Sequence, residues 1–277
     1  MARQTLKPPF EYYGGKTHLA PKIAALLPPH QHYVEPFAGS LAVLLAKEPS
    51  RAETVNDLDG DLVTFWRVLR DRPEELERVC TLTPHSVEEF ARAADRTGCD
   101  DLEVARRIFV LLTQGREHST ASRGTSGWRR FVDVSRRPPA PQMLNTNVGR
   151  VAAAAERIAN VSIENADALD IIRRYGREPS VCIYADPPYL GDTRGSGGYG
   201  IDQRGDEFHQ AFADACNEAK ASVIISGYDS PLYAELFEGW HRIELTTRPT
   251  QSLDRKMEVL WSNQPFAGQG AFDIGLT

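Results

Sequence analysis

The sequence predicts an α/β fold in which a mostly parallel sheet ends in an antiparallel pair of C-terminal strands and carries a mainly helical insertion. Three observations support this prediction. Short apolar segments typical of strands alternate with helical segments before and after the middle of the chain. Helical periodicity without strand-like alternation fills residues 73–112. Residues 242–245 and 257–261 resemble strands with no room for a helix between them, which predicts antiparallel pairing.

Each element follows from its local pattern. Short apolar runs bounded by turn residues predict the strands of the parallel part, at residues 32–37, 53–56, 161–163, 181–185 and 222–226. Apolar residues at helical spacing predict helices at residues 41–45, 62–69, 73–112 and 152–159. The long helical stretch breaks at Pro84 and Gly98. Residues 114–141 are polar and predict a long functional loop or hairpin.

The composition is that of a globular protein, with 41% hydrophobic and 25% charged residues among 277. It excludes a disordered, collagen-like or coiled-coil chain. No apolar run approaches the roughly 20 residues of a membrane span, and the first ten residues lack a secretion signal, so we expect a cytoplasmic protein. The cysteines are widely spaced, which predicts free thiols and no metal site: Cys80, Cys99, Cys182 and Cys216.

The net charge of −6 conceals a strongly basic segment. Residues 106–150 contain nine arginines against Glu117 and Asp133, a local charge of +7 that leaves −13 for the rest of the chain. The rigid guanidinium fork matches phosphate oxygens and the acceptor edge of guanine. The segment therefore indicates either a nucleic-acid-binding region or an arginine-rich surface loop.

The strongest chemical signal is Asp186-Pro187-Pro188-Tyr189, directly after a predicted buried strand. Open α/β sheets bind ligands beyond the carboxyl ends of their strands. The prolines stiffen the segment, so that a carboxylate and a backbone carbonyl are presented as hydrogen-bond acceptors beside the flat ring of Tyr189. Such a group could grip a planar amine by its edge and its face. The alternative is an ordinary proline-rich turn.

Two further signals lie at the ends of the first two strands. The turn at residues 35–40 leads into a helix, whose N-terminus would face the ligand crevice. Asp57 ends the second strand, where an acidic residue commonly binds ribose hydroxyls, although Asp57 or Asp59 could instead cap a helix. The Gly15-Lys16-Thr17 segment is not a phosphate loop, because Phe10 stands where that pattern needs glycine.

Six motifs in order along the chain carry a family resemblance: Tyr-Gly-Gly-Lys at 13–16, Glu-Pro-Phe-Ala-Gly at 35–39, Asn-Asp at 56–57, Asn-Ala-Asp-Ala at 165–168, Asp-Pro-Pro-Tyr at 186–189 and Ser-Gly-Tyr-Asp at 226–229. In these motifs the chain resembles the Dam-type alpha group of DNA adenine-N6 methyltransferases over most of its length. The resemblance implies a Rossmann-like methyltransferase sheet. The family often has a glycine where this chain has Leu41.

The resemblance also implies residue roles. S-adenosylmethionine would be bound by Tyr12, Gly14, Gly15, Lys16, Glu35, Pro36, Phe37, Ala38, Gly39, Ser40, Asp57, Asp167, Ala168 and Asp186. The catalytic set would be Asp186, Pro187, Pro188 and Tyr189. Residues 1–70 and 149–277 would form the catalytic domain, and residues 71–148 an inserted target-recognition domain. DNA would be contacted by Arg116, Arg123, Arg129 and Arg130.

The implied activity is methyl transfer from S-adenosylmethionine to the N6 amine of adenine in double-stranded DNA, with the base flipped out of the helix. Six glycines between residues 190 and 206 suit a mobile flap over that pocket, or irregular filler. We expect a monomer that binds double-stranded DNA, does not bind a membrane and needs no protein partner. Alternatives are methylation of an RNA adenine, of cytosine N4 or of a protein amide, and a non-catalytic DNA-binding protein with the same fold.

Overall fold

The computed structural model describes residues 5–121, 125, 127–130, 139–188, 205–245 and 257–268. Its elements in chain order are α1 (Ala20–Leu26), β1 (His32–Glu35), α2 (Ala42–Ala46), β2 (Ala52–Asn56), α3 (Gly60–Asp71), α4 (Pro73–Thr81), α5 (Val87–Ala93), α6 (Asp101–Gln114), α7 (Ala140–Val148), α8 (Val151–Ile158), β3 (Ser162–Glu164), α9 (Ala168–Tyr175), β4 (Val181–Ala185), α10 (Asp206–Asn217), β5 (Ser222–Tyr228), α11 (Pro231–Leu236), β6 (His241–Leu245) and β7 (Glu258–Ser262).

The strands form one seven-stranded sheet in the order β3-β2-β1-β4-β5-β7-β6. The neighbours from β3 through β5 are parallel, and β7 runs antiparallel to both β5 and β6. The predicted parallel sheet with an antiparallel C-terminal pair is therefore confirmed. From β1 the chain proceeds outward to β2 and β3, and it then returns to place β4 on the other side of β1. Ligands bind at such a reversal of strand order, beyond the carboxyl ends of the strands.

Apolar layers cover both faces of the sheet. Tyr33 of β1 belongs to a core with helices α1, α2, α3, α6 and α8, whereas its neighbour Val34 packs in a second core with α9, α10 and α11. Successive strand residues point to opposite faces, so a strand with both faces covered is apolar throughout. This accounts for the continuous burial of Val181–Ala185.

Helices α3 to α8 connect β2 to β3. Helix α6 packs against α3, and both helices contribute to the same core, α6 with Ile108 and Leu112 and α3 with Phe65 and Trp66. After α6, an antiparallel bridge joins Gly115 to Trp128 at the base of the predicted loop or hairpin. The division into domains at residues 71–148 stays a prediction.

The predicted helices do not include α1, α7 or α11. Helices α1 and α7 share two local features. Neither has a side-chain hydrogen bond at its N-cap, and both have proline in the first turn. The part of the chain that the structure describes contains no helix long and apolar enough to cross a membrane. All four cysteines are free, and three of them are buried.

Candidate active site

A cleft that is partly open to solvent lies where β1, β2 and β4 end. It is the kind of concave site in which proteins bind small molecules. Its walls come from the turn at residues 12–16, from the ends of the three strands with the residues that follow them, and from the starts of α2 and α9. The lining residues are Tyr12–Lys16, Glu35–Ser40, Ala42, Val43, Asp57, Leu58, Ala168, Tyr184, Asp186 and Pro188.

The first wall is a tight turn that only glycine allows. Gly15 N–H donates to the Tyr12 carbonyl at 2.8 Å, and Gly14 has φ +73°. A Cβ on Gly15 would lie 2.8 Å from that carbonyl oxygen, which is too close for any side chain. The Tyr12 ring lies against Gly39, where a Cβ would be 3.1 Å from the ring. The turn at residues 12–16 therefore packs against the turn at residues 35–40.

The second wall is the turn between β1 and α2. Gly39 has φ +47°, its N–H donates to Asp57 Oδ2 at 2.9 Å, and its carbonyl accepts from Trp66 Nε1 at 2.9 Å. Leu41 also adopts a left-handed conformation, with φ +55°. This conformation costs a non-glycine residue roughly 1–2 kcal/mol. Leu41 is fully buried, and burial of a leucine side chain offsets that cost by about 1.5–3 kcal/mol.

Asp57 is half-buried at the end of β2. Besides the bond from Gly39, its Oδ1 accepts from Asp59 N–H at 3.0 Å. Burial raises the pKa of Asp57 to about 6, more than its backbone hydrogen bonds lower it. The cap of α3 is Asp59, which accepts from the N–H groups of Asp61 and Leu62. The cap and the cleft carboxylate are thus different residues.

Glu35 is a buried carboxylic acid at the floor of the cleft. Its Oε1 accepts from the Tyr33 hydroxyl at 2.6 Å and from Leu44 N–H at 2.8 Å. Burial raises its pKa to about 7, although both hydrogen bonds oppose that shift. Near neutral pH this group therefore changes its charge readily.

Asp186 extends from the end of β4 and is bound from two sides. Lys16 Nζ lies 2.8 Å from each of its carboxylate oxygens and also donates to the Gly14 carbonyl at 2.8 Å. Ser226 Oγ donates to Asp186 Oδ1 at 2.9 Å. The ammonium of Lys16 also lies 3.7 Å from Glu258 Oε1. The side chain of Asp186 is 19% exposed, so the carboxylate still reaches the cleft.

The charges that line the cleft are mostly negative. Among the described lining residues, Glu35, Asp57 and Asp186 face a single ammonium, that of Lys16. The set suits a cationic ligand, and Asp57 presents acceptors for hydroxyl groups. In the described ranges no group of three or more acidic, histidine or cysteine side chains could hold a metal ion.

Comparison with known proteins identifies the family. The model of the D12 class N6 adenine-specific DNA methyltransferases matches residues 12–251, which is most of the chain. The chain belongs to this family. It is an enzyme of DNA adenine N6 methylation.

Two individual proteins are similar to this chain. A type II methyltransferase of Lactococcus lactis subsp. cremoris, M1.LlaDCHI, is 26% identical over 261 residues, which cover 87% of this chain and 88% of that protein. Among solved structures, the methyltransferase candidate yhhF of Escherichia coli matches 90% of this chain and 82% of that chain, with 12% identity and a TM-score of 0.33.

The cleft of the methyltransferase brings together most of the residues predicted for its cofactor and its chemistry. Asp167 does not line the cleft, because its carboxylate accepts from Leu169 N–H at 2.7 Å as the cap of α9. Its neighbour Ala168 does line the cleft. Pro187 is buried beside the lining residues Asp186 and Pro188. Tyr189 and the glycine-rich residues 190–204 lie outside the described residues.

Sequence reasoning missed three side chains of the methyltransferase near Asp186. Ser226 lies in the Ser-Gly-Tyr-Asp motif, but no function was predicted for its side chain. Tyr184 was predicted only as part of a strand. The third side chain is that of Glu258. A signal for Ser226 exists, since a serine interrupts an otherwise apolar strand next to the strand that ends in Asp186. Nothing in the sequence around Glu258 indicates its approach to Lys16.

The arginine-rich segment of the methyltransferase divides into two groups. Arg106 and Arg107 on α6 form ion pairs with Glu89 and Glu103. The predicted DNA contacts lie beyond α6. Arg116 and Arg130 are exposed, whereas Arg129 donates to the Gly115 carbonyl at 3.3 Å and contacts the His118 ring. Arg123 lies outside the described residues.

Proposed function

We propose that the cleft binds S-adenosylmethionine and that Asp186 engages the N6 amine of an adenine flipped out of double-stranded DNA. The observation that carries this proposal is the shared cleft. Asp186 at the end of β4 opens into the same space as Asp57 and the turn at Glu35–Ser40. A group held by the turn would lie beside the carboxylate that receives the amine.

The lining residues fit this cofactor. S-adenosylmethionine carries a sulfonium and an α-ammonium, and the excess of carboxylates in the cleft suits that positive charge. In this proposal Asp57 accepts from the ribose hydroxyls, and Glu35 faces the methionine ammonium. Gly14, Gly15 and Gly39 let the backbone approach closely. Leu58 and Ala168 supply apolar surface for the adenine ring.

Bound S-adenosylmethionine supplies an electrophilic methyl group on sulfur. The adenine amine is a poor nucleophile, because its lone pair is delocalised into the ring. Asp186 and the Pro187 carbonyl accept the two amine hydrogens, which favours a pyramidal nitrogen and aims its lone pair at the methyl group. As the nitrogen–carbon bond forms, the methyl–sulfur bond would break and leave its electron pair on sulfur as a neutral thioether. The amine proton would then pass to Asp186 and from there to solvent. Lys16 and Ser226 each donate a hydrogen bond to the carboxylate of Asp186 and hold it in place.

DNA contacts are assigned to residues 71–148 as a target-recognition region, with Arg116, Arg123, Arg129 and Arg130 as its contacts. Tyr189 is assigned to stacking on the flipped base. Tyr189→Phe should keep much of the activity, whereas Tyr189→Ala should lose about 1–3 kcal/mol of base engagement. Single-turnover rates measure this difference, and equal damage in both variants would implicate the hydroxyl instead.

The test is transfer of a tritiated methyl group from S-adenosylmethionine to duplex DNA, single-stranded DNA and structured RNA in parallel reactions. We expect label in duplex DNA, recovered as N6-methyladenine after digestion. A fluorescent adenine analogue at the mapped target should brighten on binding as it leaves the stack. Label confined to RNA, to cytosine N4 or to protein would refute the proposal.

A further inference from the structure

Asp186 is contacted from within the sheet by two buried hydroxyl groups. Ser226 Oγ donates to Asp186 Oδ1 at 2.9 Å, and the Tyr184 hydroxyl lies 3.0 Å from Ser226 Oγ. Ser226 is 0% and Tyr184 4% exposed to solvent. A buried chain of hydroxyls that ends on a cleft carboxylate costs free energy to desolvate, unless each member finds a partner. The three groups therefore act as one hydrogen-bonded unit.

The pairing of two strands fixes this unit. Strands β4 and β5 are parallel, with Tyr184 opposite Ile224 and Ala185 opposite Ile225. Because side chains alternate between faces, Tyr184 and the residue two positions later, Asp186, point to the same side of the sheet. Ser226 follows Ile224 by the same two positions. The central sheet thus places Tyr184 and Ser226, and Asp186 follows directly at the end of β4.

The number of protons on each group determines the direction of the hydrogen bonds among Tyr184, Ser226 and Asp186. A serine hydroxyl has one proton, and Ser226 gives it to an Asp186 oxygen. The Tyr184 hydroxyl must then donate to Ser226 Oγ. Burial raises the pKa of Tyr184 well above its usual value near 10, so this phenol keeps its proton.

The contact with Lys16 does not fix the orientation of the Asp186 carboxylate plane. Its ammonium lies at the same distance, 2.8 Å, from both oxygens of Asp186, and so it does not distinguish one oxygen from the other. Ser226 contacts Oδ1, and a bond to one oxygen fixes the rotation of the carboxylate plane. Lysine also has a flexible four-carbon stem, whereas Ser226 is short and lies on a central strand.

We infer that Ser226, oriented by Tyr184, is a positioning residue that sets the carboxylate plane of Asp186 for the target amine. This inference rests on the proposed role of Asp186. A reacting group that is displaced by about 1 Å loses about 100-fold in rate, so positioning by Ser226 should appear in the transfer step and not in binding.

The experiment compares full-length variants in single-turnover methylation of duplex DNA, with cofactor and DNA affinities measured separately. Ser226→Ala should lower the transfer rate about 10- to 100-fold while both affinities stay within about twofold. Tyr184→Phe should cause a smaller loss of the same kind. The double variant should be no slower than Ser226→Ala alone, because Tyr184 acts through Ser226. Ser262→Ala on β7 is the matched control, since Ser262 is equally buried and has no assigned role in the site.

Each outcome decides the matter. A Ser226→Ala rate within twofold of the wild-type rate would overturn the inference, as would losses that multiply in the double variant. An equal loss in Ser262→Ala would reduce the effect to the removal of any buried hydroxyl from the sheet, which also overturns it. Asp186→Ala separates this inference from the proposed function. If Asp186→Ala abolishes transfer and Ser226→Ala does not lower it, the inference alone fails.

Discussion

The cleft at the ends of β1 and β4 and the arginine-rich segment 106–150 carry opposite charges, and they hold those charges in different ways. In the cleft, Asp57 accepts from Gly39 N–H in the turn after β1, and Asp186 accepts from Ser226 on the buried strand β5. In the basic segment, Arg106 is balanced by acids of α5 and α6, whereas Arg130 is exposed. The central sheet and its turns therefore position the carboxylates of the cleft, whereas the helical segment between β2 and β3 carries exposed positive charge.

The difference shows that a charge count along the sequence overestimates the positive electrostatic potential of a segment, because ion pairs neutralise part of the counted charge. The local charge of +7 includes Arg106 and Arg107, whose partners Glu89 and Glu103 lie just before the counted segment. The hydrogen bonds from these arginines hold the pKa of Glu103 down to about 2. The positive field is therefore carried by arginines after α6.

The largest expected effect comes from removing that field. Changing Arg116, Arg123, Arg129 and Arg130 together to Ala should weaken binding to all duplexes by about 100-fold and lower the salt slope by about one unit for each lost phosphate contact. An arginine that reads guanine would instead cost about 1–3 kcal/mol at one base pair and relax specificity there. Titrations across salt concentrations and across single-base variants of the target separate these roles.

Arg106→Ala supplies the contrast within the same segment. It should lower the free energy of unfolding, because Glu89 and Glu103 lose a partly buried partner, and it should leave the salt slope unchanged. A fall in salt slope equal to that of the exposed arginines would show that α6 also faces DNA. Unchanged affinity in the fourfold variant would mean that another part of the chain binds DNA.

The next effect concerns the cleft. Asp57→Ala should weaken S-adenosylmethionine binding about 10- to 100-fold, since hydrogen bonds to a charged group contribute about 1.5–3 kcal/mol. Because its pKa is about 6, wild-type affinity should also fall below pH 6 as the carboxylate becomes protonated. Calorimetry at several pH values measures both effects. Asp59→Ala is the control. It removes the N-cap of α3, so it should lower the free energy of unfolding without weakening cofactor binding.

The smallest effect is a stability cost that the cleft imposes. Glu35 has a pKa of about 7 in the folded protein and an ordinary value near 4.5 when unfolded, so its contribution to stability is present below pH 4.5 and is lost as the pH rises through 7. Glu35→Gln keeps an acceptor for Tyr33 and Leu44 and removes the titration. Denaturant melts at pH 5 and pH 8 should show the variant gaining about 1–2 kcal/mol over wild type at the higher pH. No relative gain would mean that water relieves the burial of Glu35.

Local patterns predicted the parts of the fold that local physics controls. Apolar runs ended by turn residues predicted the strands, and the small residues of the turn at 35–40 predicted one wall of the cleft. The other wall, at Gly14 and Gly15, was expected only from the family resemblance. The short helices α1 and α7 have no side-chain hydrogen bond at the N-cap, and proline in the first turn is their one local start signal. Proline is equally common in turns, so this signal alone does not predict a helix.

The contacts that tune the site are nonlocal, which is why the sequence did not reveal them. Lys16 and Asp186 are 170 residues apart, and Ser226 reaches Asp186 only because β5 pairs with β4. Asp167 is a different case, and its assignment to the cofactor stays a prediction. It lies in a family motif beside the cleft, yet its carboxylate caps α9, and a motif alone does not distinguish these two uses.

The most direct test of the account is the split between chemistry and binding in Asp186→Ala. Transfer to duplex DNA and cofactor affinity are measured on the same preparation, with Asp57→Ala alongside. The account predicts that Asp186→Ala loses transfer and keeps cofactor affinity within several-fold, whereas Asp57→Ala shows mainly weakened cofactor binding. Retained turnover in Asp186→Ala would contradict the assignment of this carboxylate to the target amine.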